Sequence, residues 1–198
     1  ARAGFSVGAY ERSRTLVIDP AIITYSTYLA GEWLDRVHDI AGDSDGNAYA
    51  VGWTDSELFP TKDAYQPGQN TNSEEAFITK FNPDGTTLVW STYLGGGAGS
   101  FRFGPGGTNE PNEPIIPGGD DGAYGVAIDS ARNVYVTGWA FSSDFPTRNA
   151  MQTHLADTCC DSDSFVTKLN AAGDQLVFST YLGGVDGTDV GRGIAVDN

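Results

Sequence analysis

The stretch Ser91-Thr-Tyr-Leu-Gly-Gly96 occurs again as Ser179-Thr-Tyr-Leu-Gly-Gly184, and a shorter match, Ser-Thr-Tyr-Leu, begins at Ser26. The similarity between the markers continues in the same order. Three further pairs of segments match: Asn47-Ala-Tyr-Ala-Val-Gly-Trp53 with Asn133-Val-Tyr-Val-Thr-Gly-Trp139, Phe59-Pro-Thr61 with Phe145-Pro-Thr147, and Ala76-Phe-Ile-Thr-Lys-Phe-Asn82 with Ser164-Phe-Val-Thr-Lys-Leu-Asn170. Self-similarity of this length indicates structural units that pack on their neighbours.

Each full repeat contains four short runs that are rich in β-branched and aromatic residues and bounded by Gly, Asp, Asn or Pro. In the first repeat these runs are Arg36–Gly42, Asn47–Trp53, Glu75–Phe81 and Thr87–Leu94. Such runs predict β-strands, and helical periodicity is absent almost everywhere. We therefore predict an all-β fold built from β-propeller blades of four antiparallel strands.

The repeat also sets the expected boundaries. We predict a lead-in at residues 1–23, a closing strand and first blade at 24–94, an inserted loop rich in Gly and Pro at 95–120, a second blade at 121–182 and the start of a third blade at 183–198. The insertion lacks the periodicity of a packed element, so we expect a surface loop. A closed propeller needs about four to eight blades. Two full blades with partial flanking strands therefore predict an incomplete propeller or a fragment.

The repeat resembles the bacterial seven-bladed β-propeller repeat, often called the SBBP repeat. The resemblance covers about residues 24–198 and rests on the strings Ser-Thr-Tyr-Leu-Gly-Gly, Asn-Val-Tyr-Val-Thr-Gly-Trp, Asp-Phe-Pro-Thr and Phe-Val-Thr-Lys-Leu-Asn. It implies an extracellular or cell-surface module, and it brings no established catalytic motif.

Composition and charge exclude several classes of function. The 198 residues include 11 Lys and Arg against 26 Asp and Glu, which gives a net charge of −15. This balance argues against binding to nucleic acid or to anionic membranes. No apolar run approaches the roughly 18 residues of a membrane span.

Two acidic loops are candidate calcium sites, because alternating carboxylates suit a hard cation. The candidate ligands are Asp43 and Asp45 in the first loop and Asp157, Asp161 and Asp163 in the second. The alternative for the first loop is a hairpin stabilised by the Asp43 side chain, since the matching segment has Ala131 where Asp45 stands. The alternative for the second is a solvated acidic loop. The adjacent Cys159 and Cys160 could be oxidised to a strained ring, pair with other chains, bind a metal or remain free thiols.

Aspartate recurs at one repeat position, as Asp35, Asp121 and Asp189. Recurrence favours a structural role, in which the carboxylate caps a turn or binds backbone donors. The functional alternative is a ring of carboxylates at one end of a central channel.

The tryptophans also divide into repeated and unrepeated positions. Trp53 and Trp139 are repeat-equivalent, so we expect them to pack between blades, with a carbohydrate-stacking platform as the alternative. Trp33 has no counterpart and is the better candidate for an exposed contact residue.

These observations favour a non-enzymatic extracellular module for binding or scaffolding, whose partners are other protein chains, further propeller blades or carbohydrate. Two alternatives remain open. The chain could be a self-assembling subunit of a filament, sheath or surface layer, because unpaired strand edges invite strand addition. It could also be an enzyme that acts on polysaccharide, with Asp121 among its carboxylates.

Overall fold

A computed structural model describes residues 25–70, 73–98, 100–102, 115–117, 119–156 and 161–197. The described strands are β1 (Asp35–Gly42), β2 (Ala48–Thr54), β3 (Glu75–Phe81), β4 (Leu88–Leu94), β5 (Ser100–Arg102), β6 (Ile115–Pro117), β7 (Asp121–Ile128), β8 (Val134–Ala140), β9 (Asp163–Leu169) and β10 (Leu176–Leu182). Strands β1 to β4 form one antiparallel sheet in sequence order, the first blade, and β7 to β10 form the second blade in the same way. The predicted all-β fold of four-stranded blades is confirmed.

The central strands carry side chains that are buried on both faces. Every residue of β3 is buried, including the polar Thr79. The Thr79 hydroxyl lies 2.7 Å from the hydroxyl of Ser91 on β4, and Thr167 and Ser179 form the same pair, also at 2.7 Å, in the second blade. Each hydroxyl thus satisfies the other inside the sheet, which avoids the free-energy cost of an unpaired buried polar group.

A β-bulge explains the glycine of the repeated Gly-Trp pair. The pairing of β1 with β2 shifts between Val37 and Asp39, and that of β7 with β8 shifts at the equivalent place. A Cβ atom on Gly52 would lie 1.8 Å from the carbonyl oxygen of Arg36, and one on Gly138 would lie 1.8 Å from that of Gly122. Only glycine allows this close approach of the backbone.

The repeated tyrosine fastens the long β2–β3 connection to β4. The Tyr93 hydroxyl donates to the Ser56 carbonyl at 2.6 Å and accepts from the Phe59 amide at 3.1 Å. The Phe59 ring packs against Phe77, with the ring centroids 4.5 Å apart. The second blade repeats these contacts with Tyr181, Ser142, Phe145 and Phe165. The tyrosine therefore joins three parts of each blade, and it is fully buried in both.

We expect Tyr93→Phe and Tyr181→Phe each to lower the free energy of unfolding by about 2 kcal/mol, because each removes a hydroxyl that bonds to a buried carbonyl and a buried amide. Denaturant titration followed by circular dichroism measures the loss. Tyr28→Phe is the matched control, since Tyr28 is fully exposed. An equal effect of all three substitutions would contradict the assigned role.

The two blades pack through β7, which contacts β1, β2 and β3. The shared core includes Tyr49, Ile78 and Trp90 of the first blade with Val126 and Val136 of the second. The Trp90 indole also donates to the carbonyl of Ala171 at 3.2 Å, in the turn between β9 and β10. Packing and a directional bond together fix one blade against the other.

Three segments differ from their sequence-based expectation. Residues 26–29 were predicted as a closing strand but form none, because no strand among the described residues lies beside them to pair with; Leu29 still packs against Phe59, Phe77 and Tyr93. Residues 183–197, expected to begin a third blade, also lack a strand. The insertion predicted as a loop contains β5 and β6, which pair antiparallel.

The segment after β10 nevertheless follows the path of β7. The Asp189 amide donates to the Ser162 carbonyl at 2.7 Å, as the Asp121 amide donates to the Glu74 carbonyl at 2.8 Å. The Gly191 amide then donates to the Gly138 carbonyl at 2.9 Å. The backbone of this segment therefore lies against the second blade much as the start of β7 lies against the first.

Candidate functional site

The recurring aspartate connects the end of one repeat to the loop of the next. Asp121 is fully buried and accepts hydrogen bonds from the Gly96 amide at 2.8 Å and from the Ser142 hydroxyl at 2.7 Å. Asp35 accepts equivalent bonds from the Gly31 amide and the Ser56 hydroxyl, and Asp189 accepts one from the Gly184 amide. The carboxylates are thus held by backbone and hydroxyl donors, as the structural interpretation predicts.

Burial raises the pKa of Asp121 well above its usual value, although the bonds from Ser142 and Gly96 act in the opposite direction. A carboxyl group with this environment resists ionisation. Both of its carboxyl oxygens accept hydrogen bonds from groups of the fold, so the geometry gives Asp121 a structural use.

We expect Asp121→Ala to lower the free energy of unfolding by about 2 kcal/mol, because it leaves the Gly96 amide and the Ser142 hydroxyl unpaired. Chemical denaturation at neutral pH measures the change. Asp84→Ala, in an exposed turn, is the control. A fully stable Asp121→Ala variant would show that these bonds contribute nothing to the fold.

The first candidate calcium loop is a hairpin stabilised by its own side chain. Asp43 accepts hydrogen bonds from the Asn47 amide at 3.0 Å, the Asn47 side chain at 2.8 Å and the Tyr49 hydroxyl at 3.0 Å. Burial opposes ionisation of Asp43, but these bonds outweigh it and lower its pKa to about 2. Asp45 points elsewhere and forms an ion pair with Arg132 of the second blade. The two carboxylates therefore serve different partners.

The second candidate loop is described only in part, since Asp157, Cys159 and Cys160 lie outside the described residues. Asp163 is buried at the start of β9 and accepts from the Gln152 side chain at 2.6 Å and the Ala156 amide at 2.9 Å. Asp161 accepts a longer bond from Thr188 at 3.4 Å. Within the described ranges, no three His, Cys, Asp or Glu side chains are grouped so as to hold a metal ion. Calcium in this loop stays a prediction.

Three neighbouring carboxylates at the junction between the blades have no acidic counterpart in the next repeat. They are Asp55, Glu74 and Asp120, and the matching positions of the next junction hold Phe141, Ser162 and Thr188. Asp120 accepts a hydrogen bond from the Glu74 amide at 3.1 Å. Burial is the main cause that raises the pKa of Glu74 to about 7. The nearby Asp120 and Asp55 raise this pKa further, and Arg36 lowers it. Burial also raises the pKa of Asp120 to about 6.

These shifts predict that the protein is more stable in mild acid than at neutral pH. A carboxyl group whose folded pKa is raised favours the folded state most below its unfolded pKa, near 4.5 for Glu74, and that contribution is lost as the pH rises to about 7. Asp43, with its lowered pKa, loses its contribution as the pH falls from 3.8 towards 2.

We therefore expect the free energy of unfolding to decrease between about pH 4.5 and 7. Glu74→Gln should reduce that decrease, and the exposed Glu57→Gln should leave it unchanged. Urea titrations across this pH range measure both. An unchanged pH profile in Glu74→Gln would contradict the assignment.

An open groove lies beside the junction, with a volume of about 400 Å³ and a lining of Trp33, Leu34, Asp55 and Glu57. Trp33 is 72% exposed and Leu34 is 68% exposed. Sequence reasoning singled out Trp33 as an exposed contact residue, and its exposure is confirmed. It did not place Asp55 or Glu57 beside Trp33, because nothing in the repeat pattern links these positions.

The repeated tryptophans lie differently from the expectation. Trp53 stacks with Arg36 of its own blade, with the guanidinium carbon 5.3 Å from the ring centroid. Trp139 packs against Gly122 and Phe141 of its own blade. Both tryptophans thus make these contacts within their own blade, whereas the sequence predicted packing between blades. Trp90, which sequence reasoning missed, makes the inter-blade contact instead, and its replacement by Phe178 in the second repeat was the available signal.

His38 of β1, Tyr124 of β7 and Arg192 share one repeat position and lie side by side. The His38 and Tyr124 rings meet edge to face at 4.4 Å, and the Arg192 guanidinium lies 5.3 Å from the Tyr124 ring centroid. Burial, and then the nearby Arg36, lowers the pKa of His38. The contact is one of packing between repeats, and no metal ligand set surrounds it in the described part of the chain.

Comparison with known proteins identifies one repeat family, which agrees with the four-stranded blades. Among the described residues, no helix is long and apolar enough to cross a membrane. The search of curated proteins found no match. A family model described as the SBBP beta-propeller repeat matches residues 24–60 and 89–146, which include β1, β2, β4, β7 and β8. Residues 24–60 and 89–146 thus match the beta-propeller repeat of the SBBP family.

Proposed function

We propose that the chain acts outside the cell as a non-enzymatic scaffold module that joins further propeller blades through two open blade faces. The observation that carries the proposal is a difference in exposure between equivalent side chains of the two blades. In the covered junction these side chains are buried, whereas at the two outer faces they are accessible.

The outer face of the second blade is the first of these surfaces. Leu94 is fully buried against the second blade, but its equivalent Leu182 is 48% exposed. Trp90 is buried, but its equivalent Phe178 is only half-buried. The beginning of the third repeat covers part of this face through Asp189 and Gly191, and the remainder is available to a further blade.

The outer face of the first blade is the second surface. Val37 and Ile40 of β1 are 50% and 64% exposed, whereas the equivalent Ala123 and Val126 of β7 are buried in the junction. The two outer faces therefore correspond to the two sides of the junction already formed within the chain. Burying apolar area between them would stabilise the assembly by about 25 cal/mol per Å².

Two observations support a role without catalysis. The carboxylates of the half-buried Asp35 and of the buried Asp121 and Asp163 are held by amide and hydroxyl donors, which serves the fold. The family resemblance implies a module at or beyond the cell surface, and the net charge of −15 suits a protein that must stay soluble there.

Because the two faces are complementary, we expect copies of the chain to associate head to tail as concentration rises. Light scattering coupled to size exclusion, over a range of loading concentrations, measures the mass. Ile40→Asp should abolish the association, because it places a charge in the contact. Leu58→Asp is the control, since Leu58 is 78% exposed and lies in the β2–β3 loop and not on a strand.

A monomer at every concentration would contradict scaffolding through these faces. Association that survives Ile40→Asp but is lost in Leu58→Asp would place the contact elsewhere and would also contradict the proposal.

A further inference from the structure

The groove lined by Trp33, Leu34, Asp55 and Glu57 is held in a fixed shape although its side chains are exposed. The Trp33 amide donates to the Ser56 hydroxyl at 2.8 Å, and the Asp55 amide donates to the Leu34 carbonyl at 2.9 Å. On the far side of Trp33, the Glu32 carboxylate accepts from the Leu58 amide at 3.1 Å. These bonds tie the segment before β1 to the β2–β3 loop. A ligand in the groove would therefore lose little free energy to ordering of the loop.

The groove is not a requirement of the blade. The positions that match Asp55 and Glu57 in the second blade are Phe141 and Ser143, and Trp33 has no counterpart. The second blade nevertheless forms the same strands and the same tyrosine and aspartate contacts. The side chains that line the groove are therefore particular to this place in the chain, and the fold does not account for an indole left 72% exposed.

The electrostatics of the groove favour a positively charged occupant. Among the described residues, no hydrogen-bond donor or cation contacts the carboxylate of Asp55, and burial, with the nearby Asp35, raises its pKa. Glu74 and Asp120 interact electrostatically with Asp55 and are further acidic groups beside it. Arg36, the cation that opposes the pKa shift of Glu74, is stacked on Trp53. A neutral sugar could stack on an indole but would leave these charges unbalanced.

We propose that this groove binds a lysine or arginine side chain presented by a partner polypeptide. Trp33 would receive the cationic group on its ring face, Asp55 and Glu57 would pair with its charge, and Leu34 would contact its aliphatic stem. Cations lie favourably over indole rings, and carboxylates complete the recognition of ammonium and guanidinium groups. This inference goes beyond the scaffolding proposal and does not depend on it.

The test uses a trilysine peptide with blocked ends, titrated into the full chain at low ionic strength and followed by isothermal titration calorimetry. Trp33→Ala and Asp55→Asn should each weaken binding roughly fivefold, the size of an exposed cation–π contact or ion pair. The matched controls are Met151→Ala, which removes an apolar side chain that is 79% exposed, and Asp84→Asn, which removes the same charge from an exposed turn. Both controls should bind the peptide as the unaltered chain does.

Four outcomes would overturn the proposal. Trilysine could fail to bind, or Asp84→Asn could weaken binding as much as Asp55→Asn, which would indicate diffuse attraction to the net negative charge. The same peptide with acetylated lysines could bind equally well. A neutral oligosaccharide could bind in a Trp33-dependent way while trilysine does not, which would identify a saccharide site. Light scattering of Trp33→Ala reports head-to-tail association separately, so failure of one proposal is distinguishable from failure of the other.

Discussion

The central strands of each blade bury side chains on both faces, and the rest of the structure depends on covering those faces. Strand β3 has no exposed residue, so a single sheet of this composition would leave apolar area in water on at least one side. A neighbouring sheet removes that area, and Trp90 adds a directional bond to the same contact. The hydrophobic effect supplies the free energy of the junction, whereas the hydrogen bond fixes its geometry.

Burial on both faces creates a second requirement, because the loops that enter the junction bring polar backbone groups with them. The repeat meets this requirement with its own polar residues. Tyrosine hydroxyls satisfy the long connection of each blade, and the recurring aspartates satisfy the glycine amides that follow each closing strand. Gln66 donates to the Glu75 carboxylate and accepts from the Gly95 amide. Gln152 joins Asp163 to the Gly183 amide in the same way. The sequence repeats because each of these bonds has to be made once per blade.

That logic explains how much the sequence could reveal. The four strands of the first blade were predicted to within about a residue, since alternating strands and turn residues are local signals. The same signals fail for residues 26–29, because a strand exists only where a partner strand lies beside it. They also fail for β5 and β6, because these strands pair through their backbones and their Gly- and Pro-rich segment shows no alternation of apolar and polar residues. A β-strand requires pairing between two segments, and the pattern within one segment does not reveal whether a partner segment lies beside it.

The candidate groove lay beyond sequence reasoning for a related reason. Repetition identifies residues that the fold needs, so residues with a separate use appear only as departures from the repeat. Trp33 was visible as such a departure. Asp55, Glu57, Glu74 and Asp120 were not, because each replaces a different neutral residue and their proximity depends on how β7 docks on the first blade.

Where equivalent positions differ in charge, the repeat itself provides a comparison within one chain. The start of the third repeat contacts the second blade with the uncharged Phe141, Ser162 and Thr188 at these three positions. The raised pKa values of Glu74 and Asp120 predict that these carboxylates oppose folding at neutral pH. A feature that the fold does not need, and that costs stability under neutral conditions, is the pattern expected of a site kept for recognition.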